Sequence, residues 1–163
     1  MHPRIEMLPE KLLVGMRMTM SLANNKTGEL WRRFMPRRSE IQNTVNADLL
    51  SMQVYDGLPD FSNGNQRFEK WAVVEVANGD AIPEGMETFL LRSGLYAVFH
   101  YIGSSTDTRI FHTIFGTWLP NSAYILDERP HFDVLGTLYK NADPTSEEDL
   151  WIPIKPKYER DPE

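Results

Sequence analysis

Cysteine is absent from this chain, which excludes disulfides and thiolate metal sites and leans the expected compartment toward the cytoplasm. Long apolar runs are missing too. None approaches the roughly 20 residues that a membrane-spanning helix needs, and Met1-His2-Pro3-Arg4-Ile5-Glu6 reads as neither signal peptide nor anchor. No membrane partner is expected. Positive charge is in deficit: 17 Lys and Arg against 23 Asp and Glu leave a net charge of −6, so direct nucleic-acid binding is not expected. The sequence has no GxGxxG, GxxxxGK, HExxH or GxSxG, and so lacks the usual cues for dinucleotides, nucleoside triphosphates, catalytic zinc and serine hydrolysis. The histidines His2, His100, His112 and His131 are scattered without metal-ligand spacing on one face. Neither metal nor cofactor is expected.

What the chain does contain is a faint copy of itself. Leu30-Trp31-Arg32-Arg33-Phe34-Met35-Pro36 recurs as Ile114-Phe115-Gly116-Thr117-Trp118-Leu119-Pro120, an offset of 84 positions (114 − 30). The offset is about half of the 163 residues, a period that suggests one duplicated unit rather than a solenoid. The length fits a single domain, residues 1–163. Within it, repeat one spans about residues 8–78 and repeat two about 86–156.

Periodicity gives the two halves the same order. Val14, Met16, Met18, Met20 and Leu22 alternate as a half-buried strand does. Asn25 or Thr27 then caps a helix expected over Thr27–Gln42, with Pro36 ending or kinking it near Met35. Strands are expected at Leu49–Tyr55 and Phe68–Val76. In the second half Leu95–Ile102 reads as a strand, and Ser104, Ser105 or Thr106 caps a helix with Ile110, Phe111, Ile114, Phe115, Trp118 and Leu119 on one face. His131–Gly136 and Asp149–Ile154 complete the set, the latter placed at an edge or bulge because of Pro153. The charged tail from Lys155 is expected to fray. The fold class is therefore α+β: two β-α-β-β units related by a pseudo-twofold axis, each sheet covered on one face by its helix. The uncovered faces would line a shared central cleft.

Two features could carry chemistry. One is the aromatic and methionine supply on regular elements. Trp31, Phe34, Phe115 and Trp118 lie on helix stripes and read as core. Tyr55, Trp71 and Trp151 lie on strands, where alternate side chains face away from the helix, and are candidate pocket walls together with Met52 and Phe99. The other is Asp133, an acid between Phe132 and Val134 that would face the cleft. A carboxylate there is costly unless solvated or paired. A ligand cation enclosed by aromatic faces would pair it, as solvent would if the strand simply turns this side outward. Asp149 poses the same question within an acidic run, and Arg32, Arg33, Arg37 and Arg38 read as a solvated helix face.

Three strand segments, Gly94–Gly103, Arg129–Val134 and Asp149–Ile154, resemble the GyrI-like effector-binding superfamily, which includes the drug-binding domain of BmrR and the C-terminal domains of some AraC-type regulators. The resemblance spans nearly the whole chain. It implies two β-α-β-β (SH2-like) repeats around an aromatic-lined cavity, an amphipathic small molecule as partner, and a stand-alone member without the DNA-binding domain of the larger regulators. Asp133 stands where the family commonly has glutamate, and Trp151 where it commonly has tyrosine. The leading expectation is a binding protein for cationic or planar aromatic ligands, in multidrug or xenobiotic sensing or sequestration. Two alternatives follow from the resemblance. One is a hydrolase of cyclopropane-bearing DNA-alkylating natural products, with Asp133 as general base and Tyr55 as donor. The other is a protein-inhibiting regulatory module.

Overall fold

The alternating segments become a single antiparallel sheet, seen in a computed structural model that describes residues 2–158. Its strands are β1 (Arg4–Leu8), β2 (Lys11–Met20), β3 (Leu49–Tyr55), β4 (Phe68–Val76), β5 (Glu87–Leu91), β6 (Gly94–Ile102), β7 (Tyr124–Leu126), β8 (His131–Leu135) and β9 (Glu147–Pro156). Two short helices, α1 (Thr27–Phe34) and α2 (Arg109–Thr113), complete an α+β architecture. The strand order is β1-β6-β9-β8-β3-β4-β2-β5, with β7 added beside β9.

That order forces the sheet to curl. Residues 9 and 10 alone connect β1 at one edge to β2, which is next to the opposite edge. In a flat sheet those strands would stand about 29 Å apart, six spacings of about 4.8 Å, whereas so short a link reaches only about 10 Å. Arg92-Ser93 makes the same jump between β5 and β6. The sheet therefore wraps around an inner core of Leu8, Leu13, Leu50, Met52, Trp71, Val73, Leu91, Tyr96, Val98 and Phe132. The face expected to lie open as a cleft wall is this packed interior.

Both helices lie on the outer face. Helix α1 buries Leu30 and Phe34 completely against Val14, Ala72 and Val74, each such side chain being worth about 1.5–3 kcal/mol. Helix α2 covers Ala97, Phe99, Leu150 and Ile152. Gly15 in β2 permits the close approach of β4, since a Cβ there would meet the Ala72 carbonyl oxygen at 1.9 Å.

Several expectations need correction. The first helix does not reach Gln42: it is α-helical to Phe34, ending near Met35 as Pro36 implies because it cannot donate the next helical hydrogen bond, and continues as a 3₁₀ segment, Met35–Glu40. Lys26 holds the N-cap position without a side-chain bond, while Asn25 just before it accepts from the first helical N–H, that of Thr27, through Oδ1 at 2.9 Å. The second helix has Thr108, not residues 104–106, at its N-cap position, without a side-chain bond, and passes at once into a π-helical turn, Ile114–Trp118. Strand β9 is internal, not an edge. Pro153 fits because its pairing with β8 ends at Trp151 and that with β7 begins at Ile154. The tail is ordered as β9 to Pro156, and residues 159–163 lie outside the described residues.

Candidate functional site

Side-chain parity separates the expected site residues. On β4, Ala72, Val74 and Val76 face α1 while Trp71 and Val73 face the inner core. On β8, Phe132 joins the inner core, so Asp133 points to the helix-bearing face, the reverse of the side expected for it. Met52, Trp71 and Trp151 belong to the inner face, where Phe132 and Trp151 stack at 5.3 Å and Arg17 lies over Trp71 at 5.6 Å. Phe99 is on the outer face but sealed under the second helix against Trp118. The structure thus brings Asp133 and Tyr55 together and sets the other four candidates apart from them.

Between the two apolar helix packs runs a polar strip carried by the central strands. Register places Ser51 opposite Asp133 and Ala72, Gln53 opposite His131 and Lys70, and Tyr55 opposite Phe68. Lys70 is only 6% exposed and Glu148, from β9, only 7%. With its amide turned to satisfy both neighbours, Gln53 accepts from Lys70 Nζ at 2.7 Å and donates to the His131 carbonyl at 3.2 Å. A buried ammonium and two acidic groups within one another's field are costly to desolvate, and their protonation shows it. Burial pushes the Asp133 carboxyl up to about 6, against the downward pull of Lys70. Burial, with the Asp133 charge adding to it, raises Glu148 to about 8, again opposed by Lys70. Burial likewise pulls Lys70 below its ordinary range while the two carboxylates hold it up. At neutral pH Asp133 is therefore mostly ionised and Glu148 mostly protonated, with Lys70 opposing the upward shift of both.

An aromatic group stands at one end of the strip. Tyr55 packs edge-on against Phe61 and His131, at 6.4 and 5.6 Å between ring centres, and at 5.4 Å from Phe68. Phe61 belongs to the loop between β3 and β4, yet it stacks on Phe115 of the π-helical turn at 4.4 Å. Phe115 also lies 6.2 Å from His131. Burial raises the Tyr55 hydroxyl to about 12, helped by the Asp133 charge, so it stays a proton donor. Burial, reinforced by Arg129, lowers His131 to about 4. Its Nε2 is buried and has no hydrogen-bond partner among the described residues.

Lys70, Glu148, His131 and Phe61 were not among the residues singled out by sequence. The signal for two of them was parity: Lys70 is in step with buried Ala72 and Val74, and Glu148 with buried Leu150 and Ile152. Two surface cavities lie elsewhere. One of about 500 Å³ is lined by Met35, Arg38, Ile41 and Val74 among others. A second, of about 330 Å³, is lined by residues including Leu8, Asp48, Asp149 and Trp151. Asp133, Lys70 and Glu148 line neither. Asp149, the other acid in question, is bonded to His100 Nδ1 at 2.8 Å. Among the described residues no helix is long and apolar enough to cross a membrane.

Known proteins share this fold. The chain is 31% identical over 156 residues to the transcriptional regulator BrlR of Pseudomonas aeruginosa, covering 94% of this chain and 56% of that protein. It therefore spans little more than half the length of that curated relative. Its fold matches the structure of SAV2435 bound to tetraphenylphosphonium, with TM-score 0.69 and 20% identity over 95% of this chain and 94% of that one. It also matches the integron cassette protein VCH_CASS2 of Vibrio cholerae, with TM-score 0.66 and 16% identity over 94% and 96% of the two chains. These relatives agree with the GyrI-like resemblance read from the strand motifs. The chain belongs to the Cass2 family of integron-associated effector-binding proteins, whose sequence pattern matches residues 4–154.

Proposed function

We propose that this chain binds an amphipathic small molecule, cationic or planar aromatic, on the helix-bearing face, in xenobiotic sensing or sequestration. The observation that carries the reading is the placement of a half-buried carboxylate, Asp133, on the face that carries Tyr55, near enough for its charge to add to burial in raising that hydroxyl, with Phe61 and His131 against Tyr55 and Phe115 stacked on Phe61. A lipophilic cation gains from both elements at once, from the carboxylate by charge and from the aromatic faces by cation–π attraction. SAV2435, of like fold, is described bound to such a cation. We read the two halves as pseudo-twofold β-α-β-β units. The strand order supports this, since it runs β5-β2-β4-β3 from one edge to the centre and β1-β6-β9-β8 from the other.

Calorimetric titration with tetraphenylphosphonium tests the reading. Asp133→Asn preserves shape and removes the charge, and is expected to weaken binding about 10-fold, the effect of one partly desolvated charge contact of roughly 1.4 kcal/mol. Equal affinity in the two proteins overturns it.

A second reading is favoured by the same pair of groups. A carboxyl near 6 suits a general base at neutral pH, and a tyrosine near 12 suits a donor. Asp133 would take a proton from water as its oxygen attacks a cyclopropane carbon and the ring C–C bond breaks, the electron pair passing to the oxygen of a conjugated carbonyl on the substrate, to which Tyr55 would donate its proton. Mass spectrometry of a cyclopropane-bearing alkylator incubated with the protein decides it: a product heavier by one water supports hydrolysis, and unchanged substrate rejects it.

A further inference from the structure

The arginines Arg32, Arg33, Arg37 and Arg38 read in the sequence as one solvated helix face, and the first three behave so. Arg32 and Arg33 are exposed, and Arg33 pairs with Glu29 at 2.6 Å. Arg37 is taken up by its own turn: it grips the Glu40 carboxylate through two nitrogens, at 2.7 and 3.0 Å, and donates to the Glu84 carbonyl as well. Arg38 differs. It is half-buried and donates to the Ala47 carbonyl. Among the described residues it has no carboxylate partner, and its other N–H groups bond no protein acceptor.

The Arg38 guanidinium borders the cavity of about 500 Å³. Buried Ile41 and Val74 line it, and Met35 and Ala47 extend the apolar wall. Ser39 and Thr44 add hydroxyls and Asn46 an amide; of the described residues on the lining, Arg38 alone is charged. The backbone makes the space. After the 3₁₀ segment the chain leaves through Ile41, which is extended, and turns at Asn43, whose φ of 63° is left-handed, a conformation that asparagine tolerates. The following stretch is fastened to the end of β4: Val45 N–H donates to the Glu75 carbonyl at 3.0 Å, and Ala77 N–H to the Asn43 carbonyl at 2.9 Å. The 3₁₀ segment forms one wall and this fastened loop the other, and the bond from Arg38 to Ala47 joins them.

A space of this make-up selects by charge. Apolar walls with a few polar groups are usual for a small-molecule pocket, and about 500 Å³ lies within the usual range of roughly 300–1,000 Å³. A guanidinium presents its N–H groups in a planar fork that matches a carboxylate. The acid closest in sequence, Glu40, is already neutralised by Arg37, so the charge of Arg38 is left for an occupant. We infer that this cavity is a second ligand site, for an amphipathic carboxylate: the carboxylate pairs with Arg38 beside the Ser39 and Thr44 hydroxyls, and a short apolar body lies against Met35, Ile41 and Val74. Asp133, Lys70 and Glu148 do not line it, and it takes the opposite charge to the cation proposed at Asp133. It stands whether or not that cation binds.

Calorimetric titration with decanoate tests the site. The natural chain is expected to bind it, and Arg38→Gln, which removes the charge, to weaken binding about 10-fold, the effect of one charge-assisted contact. No binding of decanoate, or equal affinity in the two proteins, overturns the inference. Because Arg38 also joins the two walls, a second variant leaves it in place: Thr44→Trp, at an exposed position on the lining, fills the space and is expected to weaken decanoate too, and undiminished binding overturns the inference. Amide NMR shifts supply a readout independent of the variants. Decanoate is expected to move those of residues 38–47 and Val74, and movement confined to Ser51, Tyr55 and Asp133 contradicts the placement. With decanoate saturating, tetraphenylphosphonium is expected to keep its affinity within about 2-fold, as separate sites do; mutual displacement puts both in one site and overturns the inference. A protein that binds decanoate but not tetraphenylphosphonium keeps this site and refutes the proposed function, and the reverse result refutes this site alone.

Discussion

Lys70→Met is the perturbation that most directly probes the charge cluster. The ammonium lies 6% exposed, held by Gln53 Oε1 at 2.7 Å, and lowers the pKa of both Asp133 and Glu148. Methionine fills similar volume without charge. Breaking a buried ion pair in direct contact costs about 3–5 kcal/mol; Lys70 bonds Gln53 and acts on the carboxylates through its field, so about 2 kcal/mol is the reasonable figure at pH 8. For a chain of this length that lowers Tm by roughly 4–8 °C. The pH dependence is the sharper part. At pH 8 Asp133 is ionised and Glu148 about half so, and both lose their counter-charge. At pH 5 both acids are protonated in either protein, and the natural chain is left with a buried ammonium that nothing compensates. Thermal melts are therefore expected to show Lys70→Met less stable than the natural chain at pH 8 and as stable or more stable at pH 5. An equal drop in Tm at both pH values would refute the account of three groups acting on one another.

Two further outcomes are expected. Because His131 is lowered from 6.5 to about 4 in the folded state, the unfolded chain takes up a proton first as pH falls. Its contribution is fully present above pH 6.5 and lost toward pH 4, about 3 kcal/mol in all. Urea midpoints at pH 7 and 4.5 should fall further for the natural chain than for His131→Phe, and parallel falls would contradict the assignment. Gly15→Ala should cost about 3 kcal/mol or more, since its Cβ would meet the Ala72 carbonyl oxygen at 1.9 Å and neighbouring backbone cannot yield as a side chain does; a variant with an unchanged urea midpoint would refute the close approach of β2 and β4.

Most of the strands and both helices were legible because their periods are strong: β3 and β4 appear at the expected residues, Leu49–Tyr55 and Phe68–Val76. What periodicity does not carry is which face of a strand meets what. Asp133, Trp71 and Trp151 could all be assigned a face, but the sheet's curling, set by the two-residue links after β1 and β5, turned the face expected to be open into the core. Trp71 and Trp151 thus became interior packing, whereas Asp133 lies on the other face from the one expected, because its neighbours Phe132 and Val134 are the ones that pack inward. Phe61 was illegible for a different reason. It sits in a loop without period, and its partner Phe115 is 54 residues away (115 − 61) on an element whose π-helical turn no local pattern announced. Lys70 was legible in principle, since a lysine in step with Ala72 and Val74 must share their face.

The central claim is that the ligand site lies on the helix-bearing face, at Asp133. A crystal structure of the protein with tetraphenylphosphonium tests it most directly. The account predicts the phosphonium among Tyr55, Phe115 and His131, within about 6 Å of an aromatic ring centre and beside the Asp133 carboxylate. A cation found instead against Trp151 and Asp149, in the cavity on the opposite face of the sheet, would contradict it.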